Sequence, residues 1–230
     1  MSAPTFLLDD SVNDPEAELW FAEPAGFTTL PLDALLPESG SPAAEQLRTA
    51  VAPFLDAAPD EMARQQFIAQ FASAQQLMSA LREVGTVHCS IGLHRDDVDE
   101  TGADNGRPLL SFFTLSWRET AVAPRRVTAA RAVTGAEGHT HIEYRELPCG
   151  PTTFSETIRT PLAESGLPPH PLLQIHAYLP HPDCKRLAVL TLSTTAVARR
   201  GEYRAVLHQI AETVSFENPL AASEEQPRKK

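Results

Sequence analysis

The chain has 230 residues, 42% of them hydrophobic and 21% charged, an ordinary globular composition that can bury roughly 70% of the surface its unfolded form exposes. A formal net charge of −11 repels a phosphate backbone, and the one basic cluster, Arg228 to Lys230, lies at the terminus, so nucleic acid is not an expected partner. No apolar run approaches the ~20 residues that span a bilayer, and no membrane partner is expected. Met1 to Asp10 has neither the basic start nor the small-residue cleavage site of a secretory signal. The expected compartment is cytoplasmic, where Cys89, Cys149 and Cys184, too scattered for a disulfide framework, stay reduced.

Residues 1–17 are polar and read as a flexible N-terminal arm, residues 18–217 as a single domain and residues 218–230 as a disordered polar tail. Glu18 to Glu23 and Gly26 to Leu30 are two short strands about a Pro24-Ala25 turn. Ala44, Leu47, Val51 and Phe54 recur at helical spacing behind Ser41 as N-cap and Pro42 at the first helical position. A longer helix, from Pro59 to Val84, carries Asp60 and Glu61 in its first turn and sets Phe67, Phe71, Met78 and Leu81 along one core-facing stripe, with Gly85 ending it.

The remainder is mostly strand. From Val87 to Leu93 the odd positions are apolar and the even ones, His88, Ser90 and Gly92, are not, so the odd face is expected to be core. An acidic loop leads to Leu109 to Arg118, with Phe113, Leu115 and Trp117 on one face, and the two segments form a hairpin. Pro124 to Val133 is a helix or a loop. His141 to Leu147 and Thr152 to Arg159 are strands turning on Pro148-Cys149-Gly150-Pro151, and Leu172 to Leu179 pairs with Arg186 to Thr194, apolar enough to be central. A closing helix, Arg200 to Thr213, buries Tyr203, Leu207, Ile210 and Val214 and turns Arg204, His208 and Glu212 outward. The fold class is α+β, an antiparallel sheet of about six to eight strands with helices packed on it.

Glu146-Leu147-Pro148-Cys149-Gly150-Pro151, Gln174 to Pro182, Leu187 to Ser193 and Tyr203 to Phe216 follow one another in an order that resembles an uncharacterised group of actinobacterial proteins with a PsbP-like fold. The opening Glu23 to Leu32 is similar to the same pattern. These motifs are turns and core positions, and the resemblance supplies no catalytic residues. It implies an accessory or chaperone-like role, in association with type VII secretion loci.

The motifs for chemistry are sparse. Asp97, Asp99, Thr101 and Gly102 match the start of an EF-hand calcium loop, but its twelfth position is Pro108 where the bidentate Glu belongs, and a solvated hairpin loop accounts for it. His139 and His141, two apart in a strand, are expected to share a face as zinc or copper ligands do, yet a third ligand, His88 or Glu143, requires neighbouring strands. Cys149 lies in a tight turn and Cys184 between Asp183 and Lys185, a setting that could lower a thiol pKa, whereas Cys89 is a core residue. No nucleophile elbow, zinc-protease helix or phosphate loop is present. No cofactor, metal or catalytic residue is therefore expected. The site residues are His88, Arg118, His141, Glu143 and Arg145, aligned on one polar sheet face that is either exposed or covered by a second helix layer. The expected function is non-enzymatic interaction with another protein; the alternative is a small-molecule or metal-binding domain whose cleft gathers His88, His141 and Arg118.

Overall fold

The structure, a computed structural model, describes residues 6–8, 17–30, 32–56, 59–95, 108–134, 137–160 and 170–218. Among the described residues nine strands and five α-helices follow in chain order: β1 Phe6–Leu8, β2 Ala22–Pro24, β3 Phe27–Thr29, α1 Leu32–Leu35, α2 Pro42–Asp56, α3 Glu61–Glu83, β4 Thr86–Arg95 and β5 Pro108–Glu119. Then come α4 Arg125–Ala132, β6 His139–Leu147, β7 Gly150–Arg159, β8 Leu172–Pro180, β9 Arg186–Thr194 and α5 Arg200–Thr213. Seven strands form one sheet in the order β3-β4-β5-β9-β8-β7-β6, with every pairing antiparallel. The expected α+β class and strand number hold. β1 pairs separately with β2, which gives part of the expected N-terminal arm a strand partner.

Local sequence explains the helix boundaries. Ser41 Oγ accepts from Ala44 N at 3.2 Å and Asp60 Oδ1 from Ala63 N at 2.7 Å, so each helix start has a capped donor. Asp60 caps α3 from outside its first turn. Gly85 closes that helix at φ +81°, and a Cβ there would stand 2.4 Å from the Trp117 carbonyl oxygen, so only glycine fits. Pro124 to Val133, open between helix and loop in sequence, folds as α4, whose Arg125 donates to the Pro180 carbonyl at 2.8 Å and to the Cys149 carbonyl. One side chain thus ties α4 to both the β6–β7 turn and the end of β8.

The two sheet faces are covered differently. On the first, α5 lays Tyr203, Leu207, Ile210 and Ala211 over Leu115, Phe154, Ile175, Leu190 and Leu192, the main core. The segment before β2 completes this layer. Leu19 and Phe21 enter the core, Trp20 and Ser215 exchange two backbone hydrogen bonds at 2.9 Å, and Thr213 Oγ1 accepts from Ala22 N. The second face has two smaller clusters. Leu32 and Met78, from α1 and α3, pack on Cys89, while Val133 at the end of α4 packs on Tyr178, Leu187 and Val189. Polar sheet residues occupy the interval between them.

Two facings differ from expectation. On β4 the even residues enter the main core layer, with Ser90 fully buried, whereas Val87 and Leu93 are 57% and 64% exposed. Glu23 is the reason: its Oε1 accepts from Ser90 Oγ at 2.7 Å and lies 2.9 Å from His88 Nε2, so these polar groups are buried with partners. His208 of α5, expected outside, is also buried, its ring stacked on Phe154 with centroids 4.0 Å apart. Glu143 of β6 stands 3.6 Å from its Nε2.

Candidate functional site

The five expected site residues do not form one face. His141, Glu143 and Arg145 do come together on β6, on the α5 side of the sheet. His88 shares that side but lies on β4, five inter-strand steps of about 4.8 Å away, roughly 24 Å, where it bonds Glu23. Arg118 lies on the opposite face, since its register partner Leu187 packs under α4 while the neighbouring Trp117 and Ala188 face α5. The cleft expected to hold His88, His141 and Arg118 together does not exist.

The β6 cluster centres on Glu143. Arg145 Nε donates to its Oε1 at 2.6 Å, while His141 Nε2 and His208 Nε2 approach Oε2 at 3.7 and 3.6 Å, contacts too long for hydrogen bonds. Burial raises the Glu143 pKa, but Arg145, then His208 and His141, outweigh it and hold the carboxyl below its ordinary value. His208 moves down as well, through burial first and then Arg145, so its contact with Glu143 is that of a neutral imidazole at neutral pH. Beside this cluster Glu156, its side chain 2% exposed, is held by Arg204 Nη2 at 2.6 Å and Nε at 3.2 Å and by Thr140 Oγ1 at 3.1 Å. The other side of β6 presents Ile142 and Tyr144, 51% and 47% exposed, with Tyr144 Oη donating to Glu146 at 2.6 Å and Arg126 pairing with the same carboxylate at 2.9 Å. β6 is the last strand of the sheet, and no described residue pairs with its outer edge.

A bulge separates the two strand histidines. His139 registers with Thr157 and His141 with Glu156, residues of opposite face, so the pair diverges and His139 Nε2 instead lies 3.0 Å from the Val133 carbonyl oxygen. Among the described residues no three of His, Cys, Asp and Glu converge as a metal requires. The EF-hand-like positions 97 to 102 lie outside the described residues. Of the turn thiols, burial pushes the Cys149 pKa up despite the opposing effects of Thr152 and Arg125, and Cys184, at φ +62° in the β8–β9 turn, points its Sγ at the Pro182 carbonyl at 3.6 Å.

Arg118 belongs to a second feature, a cleft of about 530 Å3 between α3 and the polar interval of the sheet. Its floor is formed by Thr114, Gln174, His176, Thr191 and Ser193. His176 Nδ1 lies 2.9 Å from Thr191 Oγ1, and burial, followed by the charges of Arg118, His139 and Arg159, pushes its pKa down to about 4. Sequence reasoning overlooked Gln174 and His176. The signal was present in β8, where Leu173, Ile175, Ala177 and Leu179 alternate with Gln174, His176 and Tyr178. β9 was expected to be covered on both faces, and its Leu187 and Val189 are, but Thr191 and Ser193 open onto the cleft.

Comparison with protein-family models, curated proteins and solved structures finds no match.

Proposed function

We propose that this chain is a non-enzymatic protein-interaction domain, a cytoplasmic adaptor or chaperone-like accessory, that takes an extended segment of a partner protein along the outer edge of β6. The observation carrying this reading is the nine-residue edge strand itself. An unpaired strand edge offers a row of backbone donors and acceptors to another chain, and side chains on its two faces supply selectivity. Here one face offers the compensated charges of His141, Glu143 and Arg145, and the other offers exposed Ile142 and Tyr144. The partner that fits is a strand bearing opposite charges on one face and apolar groups on the other. The PsbP-like resemblance supports the same reading and extends it to an accessory of type VII secretion.

The test is capture from native lysate by the wild type and by three single variants, each checked for an unchanged melting temperature. A partner retained by wild type and by Arg118→Glu, but lost by Ile142→Lys and Glu143→Lys, is the expected result. Retention by the β6 variants, or loss only in Arg118→Glu, contradicts the edge. A dimer of the isolated protein that Ile142→Lys dissolves would make the occupant a second copy.

A further inference from the structure

The cleft on the opposite face combines three properties that together specify a ligand. Its volume of about 530 Å3 is within the roughly 300–1,000 Å3 of small-molecule sites. Its outer wall is apolar, with Leu77 and Leu81 of α3 and Val84 just after it, together with Leu110 and Phe112 of β5. Its floor is polar, and its described lining includes Arg118 and no Asp or Glu, in a protein whose net charge is −11.

The floor also extends beyond the cleft lining. Ser155 registers opposite His176 and Thr157 opposite Gln174, and both hydroxyls are buried with no hydrogen-bond partner among the described residues. Neither residue lines the cleft, so the polar character of this face continues past it onto β7. Because the imidazole of His176 stays neutral at neutral pH, Arg118 is the one full charge in the described lining. A single guanidinium matches a monoanion, and its planar fork matches a carboxylate through two parallel hydrogen bonds.

We propose that the cleft binds a small amphipathic monocarboxylate, its carboxylate held by Arg118, its apolar body lying along Leu77, Leu81 and Val84. The floor of hydroxyls, amide and imidazole then hydrogen-bonds any polar substituent that the body carries. This site is independent of β6, so a ligand here and a protein on the edge are separate occupants.

Titration calorimetry with decanoate tests it, using decanamide as the uncharged analogue of the same length. The wild type is expected to bind decanoate at least tenfold more tightly than decanamide. Arg118→Gln, an exposed position whose change should leave the fold intact, should weaken decanoate at least tenfold and decanamide little. Leu77→Glu, which places a carboxylate on the apolar wall, should also weaken decanoate. The proposal is overturned if decanoate gives no binding, if the two probes bind alike, or if Arg118→Gln binds decanoate as the wild type does while both proteins melt at the same temperature.

Discussion

His176 is the residue through which pH should act on stability. Its pKa falls from 6.5 to about 4 on folding, chiefly by burial and then through Arg118, so between those values the unfolded chain binds a proton that the folded chain does not. Stability therefore rises with pH across this window and is lost as pH falls below about 6.5. From pH 7 to pH 5 the loss from this one group should be about 2 kcal/mol. Urea unfolding of His176→Gln at the two pH values should lack that share, and an identical loss in variant and wild type would count against the assignment. Glu156 provides a second test at this scale. Arg204→Ala strands a carboxylate that is 2% exposed, and the cost should be roughly 2 to 4 kcal/mol, below the range for a fully enclosed pair because Arg204 is 30% exposed. Full stability of that variant in thermal unfolding would show that water replaces the guanidinium.

Among the elements, the closing helix was the most legible. Its bounds and its apolar stripe of Tyr203, Leu207, Ile210 and Val214 follow from period and spacing, and all four side chains are buried. Leu207→Ala should cost roughly 2 to 5 kcal/mol, the range for core truncation. Phe67 and Phe71 stack on each other in α3 with centroids 6.2 Å apart but are only half-buried, so Phe67→Ala should cost less, about 1 to 2 kcal/mol. Equal costs for Leu207→Ala and Phe67→Ala in thermal denaturation would contradict this ordering of the two layers. β4 shows what periodicity leaves open. Alternation separates Val87, Cys89, Ile91 and Leu93 from His88, Ser90 and Gly92, but it does not say which face receives the thicker layer. The carboxylate that makes the polar face suitable for burial comes from Glu23, 65 residues from His88. For the same reason the bulge that turns His139 away from His141, and the strand order that separates His88 from β6, lay beyond local pattern.

At the scale of the whole molecule, the sheet separates residues that the sequence reading placed on one polar face. The β6 edge and its charges lie at one end beside α5, and the cleft with Arg118 lies on the other face under α3. Neither thiol is among the described residues of the cleft lining or the β6 cluster, so replacing Cys149 and Cys184 together by Ser should leave partner capture unchanged; loss of capture in a folded double variant would point to thiol chemistry instead. The edge is the central claim, and amide hydrogen exchange on the complex with the captured partner tests it most directly. Backbone amides from Thr140 to Glu146 should gain protection on binding, while those of α3 and of β5 around Arg118 exchange as in the free protein. Protection that falls on α3 or β5 and leaves Thr140 to Glu146 unchanged would contradict it.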